Sequence, residues 1–131
     1  MFTAPAIARL ARHASALVEG EGQGHTEYRT DRAMGRYVVG GMAPAALLPV
    51  GVPRAVVRAT VRRMLDAASE AGVETLGVWE DDGTVYVDLG DTWTVRARAL
   101  AAARVRGELA IYDRETGECI PVPPAFGALA R

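Results

Sequence analysis

The stretch from Val73 to Val122 decides the predicted fold, and it reads VETLGVWEDDGTVYVDLGDTWTVRARALAAARVRGELAIYDRETGECIPV. A strand-like run, VETLGVW, has apolar residues on both faces, and in the run TVYVDL Val85 and Val87 alternate with Tyr86 and Asp88. Between the two runs lies Asp82-Gly83, a dipeptide typical of two-residue hairpin turns. We therefore predict a β-hairpin here. A bulge is expected in the LGD segment that ends at Asp91.

An Ala/Arg-rich helix follows the hairpin, and a second hairpin follows the helix. The helix is predicted from Thr94 to Arg106, where Gly107 ends it. In the second hairpin, Gly117 supplies the positive φ of the RETG turn. Because Pro121 has no N–H to donate, the ECIPV segment is predicted to be an edge strand.

The preceding part of the chain adds one helix and one short strand. A helix is predicted for residues 54–71, because Val57, Val61 and Met64 fall on one side at helical spacing. A strand is predicted in GRYVVGGM, and Gly40-Gly41 marks a bulge or a close backbone approach at its end. The apolar, Pro-rich segment APAALLPVGVP connects the strand to the helix and would either cover the core or form a docking surface.

The N-terminal residues predict an amphipathic helix capped by Thr3 and ending at Gly20. The following EGQGHTEYRTDRAMG segment is rich in glycine and is predicted to be a flexible loop. The helix is thus either a separate arm or part of the core. We divide the chain into an N-terminal helix (1–20), a Gly-rich loop (21–35), an α+β core domain (36–122) and a tail (123–131).

The predicted order of elements is a helix, then β-α-β-β-α-β, then one further strand. This is the order of a ferredoxin-like domain, an α+β fold in which two helices cover one face of an antiparallel sheet. The last strand would extend the sheet as an edge strand. The alternative is a plain α+β meander with the same elements and a different strand order.

The composition limits the classes of function. The net charge is −1 and the pI is near 6.1, so no overall field attracts nucleic acid or an anionic membrane. No apolar run approaches the roughly 18 residues that span a bilayer, and one cysteine permits no internal disulfide. We expect a cytoplasmic protein. Every basic residue is arginine, which indicates a GC-rich genome, such as that of an actinobacterium or its phage.

The segment from Ala103 to Val122, ARVRGELAIYDRETGECIPV, resembles the C-terminal ends of small uncharacterised proteins from actinobacteria and their phages. The shared residues are turn and core positions. The resemblance implies a similar local fold and a mobile-element context, and it implies no activity and no site residues.

The inventory of reactive side chains is short, and we predict no catalytic, metal-binding or cofactor-binding residues. Without lysine, Schiff-base chemistry and a phosphate-loop lysine are excluded. The single cysteine, Cys119, lies in a predicted strand and is interpreted as a small core or sheet-edge residue. His25, Glu27 and Asp31 form a group in the predicted loop that could hold a metal ion, and we interpret them as solvated loop residues. The acidic group of Glu80, Asp81, Asp82, Asp88 and Asp91 is interpreted as structural; a metal-dependent enzyme using it is the third hypothesis.

Two sets of residues are candidate interaction surfaces. Arginines recur on the outer faces of the two core helices and would form a nucleic-acid or partner surface: Arg54, Arg58, Arg62, Arg63, Arg96 and Arg98. A protein interface is predicted at the sheet edge and on the N-terminal helix: Cys119, Ile120, Val122, Leu10 and Leu17.

The first hypothesis for function is a small non-enzymatic protein-interaction module that binds a protein partner or itself, as a homo-oligomer. The alternative is an arginine-based nucleic-acid-binding or regulatory protein. Partner identity and biological process are not encoded in any motif that we recognise.

Overall fold

The computed structural model describes residues 2–29, 33–68 and 72–123, which form three helices and a seven-stranded antiparallel sheet. The helices are α1 (Ala4–Val18), α2 (Arg54–Ala68) and α3 (Arg96–Arg106). The strands are β1 (His25–Tyr28), β2 (Tyr37–Val39), β3 (Ala46–Pro49), β4 (Thr75–Asp81), β5 (Thr84–Trp93), β6 (Ala110–Asp113) and β7 (Cys119–Pro121).

Strand β5 is the centre of the sheet. Along one edge it pairs with β4 over its first seven residues, and β4 pairs in turn with β1. Along the other edge it pairs first with β3 and then with β2, which carries β6 and β7. The resulting order is β1-β4-β5-β2-β6-β7, with β3 beside the first half of β5.

The predicted turns are confirmed, and the predicted bulge is wrong. Asp82 and Gly83 both have positive φ, as the two-residue hairpin requires, and Gly117 has a φ of 78°. Strand β5 continues unbroken through the LGD segment, with Gly90 directly opposite Thr75. A Cβ on Gly90 would lie 2.5 Å from both Thr75 Oγ1 and the Val39 carbonyl, so glycine is required there by close packing.

Two strands occur where the sequence predicted none. Strand β1 lies within the predicted Gly-rich loop, and its polar residues concealed it: Glu27 is buried because Arg9 of α1 donates two hydrogen bonds to its carboxylate. Strand β3 lies in the predicted covering segment. The α+β class is confirmed, whereas the strand order of the full sheet differs from the predicted ferredoxin-like order because these two strands join it.

All three helices lie on one face of the sheet, over two groups of buried side chains. The first core cluster lies under α1 and α2 and contains Leu10, Ala14, Leu17, Val18, Leu48, Val57, Val61, Met64, Val73, Leu76, Val78, Val85, Val87 and Leu89. The second core cluster lies under α3 and contains Tyr37, Val39, Ala99, Ala103, Ile111 and Ile120. Because side chains alternate along β5, Leu89 in the first cluster and Asp91 beside α3 point to the same face.

The N-terminal helix is part of the core and not a separate arm. Thr3 caps α1 by accepting a hydrogen bond from the Ala6 amide at 3.2 Å, as predicted. Leu10 and Leu17 are buried against the protein's own core, which corrects their assignment to an exposed interface. Burying each such side chain contributes about 1.5–3 kcal/mol, which favours docking of α1 over its exposure.

The remaining element boundaries are close to the predicted ones. The predicted end of the second helix, residues 69–71, lies outside the described residues. Helix α3 begins at Arg96 instead of Thr94, and Gly107 ends it with a φ of 74°. Strand β7 is an edge strand, as Pro121 predicted. The tail beyond Pro123, including Phe126, also lies outside the described residues.

Candidate functional site

The face of the sheet opposite the helices is open and carries aromatic residues. The strand registers place three pairs on it: Trp79 opposite Tyr86, Gly77 opposite Asp88, and Tyr112 opposite Val38. Their side chains alternate with those of the two core clusters and therefore point away from the helices.

A cleft of about 950 Å³ lies on this open face. Its floor consists of small residues from β1, β4 and β5, namely Thr26, Thr75, Gly77 and Gly90. A Cβ on Gly77 would meet only Thr26 Oγ1, at 3.3 Å, and the His25 carbonyl, at 3.8 Å. The backbone therefore does not require glycine at position 77, and its bare Cα deepens the cleft.

One wall of the cleft is a pair of stacked aromatic rings. The rings of Trp79 and Tyr86 lie 4.2 Å apart at an angle of 11°. Trp79 is 43% exposed, and Leu47, the cross-strand neighbour of Tyr86, is 59% exposed. This wall is thus a flat apolar surface that faces solvent.

The opposite wall comes from β6, β7 and two connecting segments. Tyr112 is 39% exposed and pairs with Cys119, the exposed cysteine. The rest of this side is formed by residues 42–45 and 107–110. The cleft therefore spans both halves of the sheet.

Two carboxylates approach each other at one end of the cleft, beside Gly40-Gly41. Asp88 Oδ1 accepts a hydrogen bond from the Gly41 amide at 3.1 Å. A Cβ on Gly40 would overlap Asp88 Oδ2 and lie 2.7 Å from Glu108 Oε1. Of the two alternatives predicted for the glycine pair, a bulge or a close backbone approach, the second is observed, because these carboxylates pack against its backbone.

The electrostatic environment disfavours ionisation of both carboxylates. Burial raises the pKa of Asp88, against the effect of hydrogen bonds from the Gly41 and Leu89 amides. Burial and the nearby charge of Asp88 raise the pKa of Glu108. No hydrogen bond or ion pair with another described residue engages the Glu108 carboxylate.

The nearest cation, Arg106, is already bound elsewhere. Its guanidinium donates to both carboxylate oxygens of Asp91, at 2.9 and 2.8 Å, and to the carbonyls of Val39 and Gly40. The bond to Asp91 raises the pKa of Arg106. Arg106 thus neutralises Asp91, and the end of the cleft keeps an excess of negative charge.

The predicted arginine surface lies on the helical side and does not line the cleft. Arg54 is paired with Glu19, with 2.9 Å between Nε and Oε1. The other predicted arginines are exposed and make no hydrogen bond or ion pair with another described residue: Arg58, Arg62 and Arg63 on α2, and Arg96 and Arg98 on α3.

The predicted sheet-edge interface is only partly at the surface. Cys119 is exposed at the rim of the cleft, whereas Ile120 is buried in the second core cluster and Val122 packs against it. Only Cys119 among the predicted interface residues belongs to the cleft.

The predicted acidic group is divided among separate roles. Glu80 accepts a hydrogen bond from the Gly83 amide in the hairpin turn, and Asp91 binds Arg106 and the Trp93 indole. Asp88 alone lines the cleft. In residues 2–29, 33–68 and 72–123 no three His, Cys, Asp or Glu side chains are grouped so as to hold a metal ion.

The contact between His25 and Glu27 is part of the packing of α1 against β1. The imidazole of His25 contacts the Glu27 carboxylate and stacks on His13, with 4.0 Å between ring centroids. Burial favours the neutral carboxyl, but the bonds from Arg9 and His25 outweigh it and lower the pKa of Glu27. Asp31, the third member of the predicted group, lies outside the described residues.

The comparisons with known proteins add no relative. No family model, no curated protein and no solved structure matches the chain. Among the helices that the structure describes, none has the length and apolar character to cross a bilayer. Any inference about function therefore depends on the chain's own surfaces.

Proposed function

We propose that this protein is a small non-enzymatic protein-interaction module that binds its partner on the open face of the sheet. The observation that carries the proposal is the concave aromatic surface formed by Trp79, Tyr86 and Tyr112. Exposed aromatic side chains at a concave site are typical of the central residues of protein interfaces.

The size and composition of this surface support a macromolecular partner. Leu47, Trp79 and Tyr112 leave large apolar areas in water on the same side of the sheet. A partner that covered them would bury apolar area at about 25 cal/mol per Å². The partner includes a second copy of the chain, as the sequence analysis expected.

Site-specific photo-crosslinking tests the proposal. Trp79 is replaced by p-benzoylphenylalanine, and a control protein carries the same group in place of Arg98 on the helical side. Position 79 should give a discrete crosslinked product in a lysate of the source organism or with a second copy of the chain, and position 98 should not. Identical products from both positions would overturn the proposal.

We also propose that β2, α2, β4, β5, α3 and β6 form a ferredoxin-like unit to which the other elements are added. The path β4-β5-β2-β6 within the sheet order supports this relation, because it places the first and third strands of the unit side by side. An experimental structure with α2 and α3 on opposite faces would contradict it.

A second candidate function, nucleic-acid binding, is favoured by one observation. Arg58, Arg62 and Arg63 are exposed on α2 and make no ion pair with another described residue. If they contact phosphates, the affinity should fall steeply with salt, and reversal of charge at Arg58 and Arg62 should abolish binding. Failure to retain DNA or RNA at low salt would end this alternative.

A further inference from the structure

We propose that the cleft receives an arginine side chain of the partner protein, held between the Trp79–Tyr86 wall and the carboxylates of Asp88 and Glu108. This inference rests on the proposed function and adds the chemistry of recognition. The residues come from two strands, β4 and β5, which their register brings together, and from the segment after α3 that carries Glu108.

The negative charge at this end of the cleft favours a cation. Asp88 Oδ2 and Glu108 Oε1 both lie close to one point beside Gly40, where they repel each other. Arg106 attracts both carboxylates electrostatically, but its guanidinium donates its hydrogen bonds to Asp91 and to the Val39 and Gly40 carbonyls. A cation from outside would therefore find one positive charge shared among three carboxylates. Binding a cation there would relieve the repulsion and stabilise the ionised form of both groups.

The shape of the cleft favours a planar guanidinium group. A guanidinium is planar, stacks on aromatic rings and donates two parallel hydrogen bonds to a carboxylate. An ammonium group stacks less well and does not form such bidentate hydrogen bonds. The exposed Trp79 ring offers a flat surface beside the bare floor at Gly77. An arginine is therefore favoured over a lysine.

The size of the cleft favours a segment of a protein. A cleft of about 950 Å³ is much larger than one side chain and is at the upper end of small-ligand sites. It has room for the residues that flank the arginine, and its apolar rim at Leu109 and Tyr112 would contact them. These features favour a protein segment over a free small cation.

The test uses N-acetyl-argininamide as the probe and its neutral isostere, N-acetyl-citrullinamide, as the matched control. Binding is followed by ¹H–¹⁵N NMR shifts of the Trp79 indole and the Gly77 and Gly90 amides. A second readout is the rate at which Cys119 at the cleft rim is alkylated. The arginine probe should shift these signals and slow alkylation, and the citrulline probe should do neither.

Three variants locate the binding. Glu108→Gln removes the unpaired carboxylate and should weaken binding of the arginine probe at least about tenfold, as loss of a charge-assisted contact does. Gly77→Val fills the floor without backbone strain and should abolish binding. The matched control Glu21→Gln, an exposed carboxylate beyond α1, should bind like the unchanged protein.

The outcomes separate this inference from the proposed function. Equal shifts with both probes, no shift with the arginine probe, or binding that survives Glu108→Gln would overturn arginine recognition. Photo-crosslinking specific to position 79 would then still support the interaction module. Loss of position-specific crosslinking together with retained arginine binding would instead indicate a small-molecule site and overturn the proposed protein partner.

Discussion

The two core clusters share β5 and one face of the sheet, yet they are held together by different interactions. The first cluster consists of large aliphatic side chains from two helices and three strands. In the second cluster, the fully buried residues of α3 are two alanines, Ala99 and Ala103, and Leu100 packs partly buried against the cluster. Two bidentate ion pairs, Arg106–Asp91 and Arg36–Asp113, flank that second cluster.

The two halves of the sheet are therefore stabilised by different interactions. Small residues let α3 approach the sheet closely, but they bury little apolar area. Charge-assisted hydrogen bonds, which are stronger than neutral ones, supply part of what the second half lacks. Since the cleft spans both halves, its geometry depends on the half with fewer apolar contacts.

A substitution in the first core cluster should cause the greatest loss of stability. Leu76 is fully buried on β4 between α1 and the centre of the sheet, so Leu76→Ala should lower the free energy of unfolding by about 3 kcal/mol through lost burial and a cavity. Urea denaturation measures this loss. A loss below about 1 kcal/mol would contradict the view that aliphatic packing dominates this half.

A smaller effect is expected in the second half. Asp91→Ala leaves the Trp93 indole without its acceptor and the Arg106 guanidinium with only the Val39 and Gly40 carbonyls, which should cost about 2 kcal/mol. Hydrogen exchange should accelerate in β2 and β6 more than in β4. Uniform acceleration across the sheet would show that the two halves unfold as one unit.

Local features of the fold were predictable because neighbouring residues determine them. The Asp82-Gly83 turn, the Thr3 cap and the edge position of Pro121 each follow from backbone chemistry within a few residues. Strands β1 and β3 were not predictable in this way. Glu27 looks like a loop residue until Arg9, from a distant helix, accounts for its burial.

The cleft was not predictable because it depends on strand register. Gly77 and Asp88 become neighbours only when β4 and β5 pair in the observed register, and Glu108 reaches them from the segment after α3. The acidic residues around Asp88 were noted in the sequence, but their separate roles required partners from other elements. Gly77 and Trp79 are two residues apart and therefore lie on the same face of a strand. This spacing was the one local signal of a bare floor beside an aromatic wall.

Acid should weaken the second half through Asp113. Bonds from Arg36 lower the pKa of Asp113 well below its ordinary value. Because the folded pKa lies below the unfolded pKa, the stabilisation is fully present above the unfolded pKa and is lost as pH falls through the folded pKa. Between about pH 5 and pH 2, Asp113→Asn should therefore show a shallower loss of stability than the unchanged protein.

Thermal unfolding of the two proteins at a series of pH values measures that difference. Glu27, whose pKa is also lowered, contributes acid sensitivity in both proteins and serves as the common background. Parallel pH profiles would show that Arg36–Asp113 does not stabilise the second half.

The smallest expected effect, of opposite sign, is at the cleft. Because the folded pKa of Glu108 is raised, its ionised form is less favourable in the folded protein than in the unfolded chain. This cost is present above the folded pKa and disappears as pH falls below it. Glu108→Gln should therefore increase the free energy of unfolding at pH 7 by a few tenths of a kcal/mol, after allowance for solvent screening.

Urea denaturation at pH 7 and near pH 3 measures this gain, which should vanish at the lower pH, because that lies well below the ordinary Glu pKa of about 4.3 and the carboxyl is protonated in both states. The same substitution should weaken arginine binding, so stability and affinity would change in opposite directions. A protein that kept Glu108 only for packing would lose stability on substitution instead. The sign of this change therefore distinguishes a carboxylate kept for recognition from one kept for the fold.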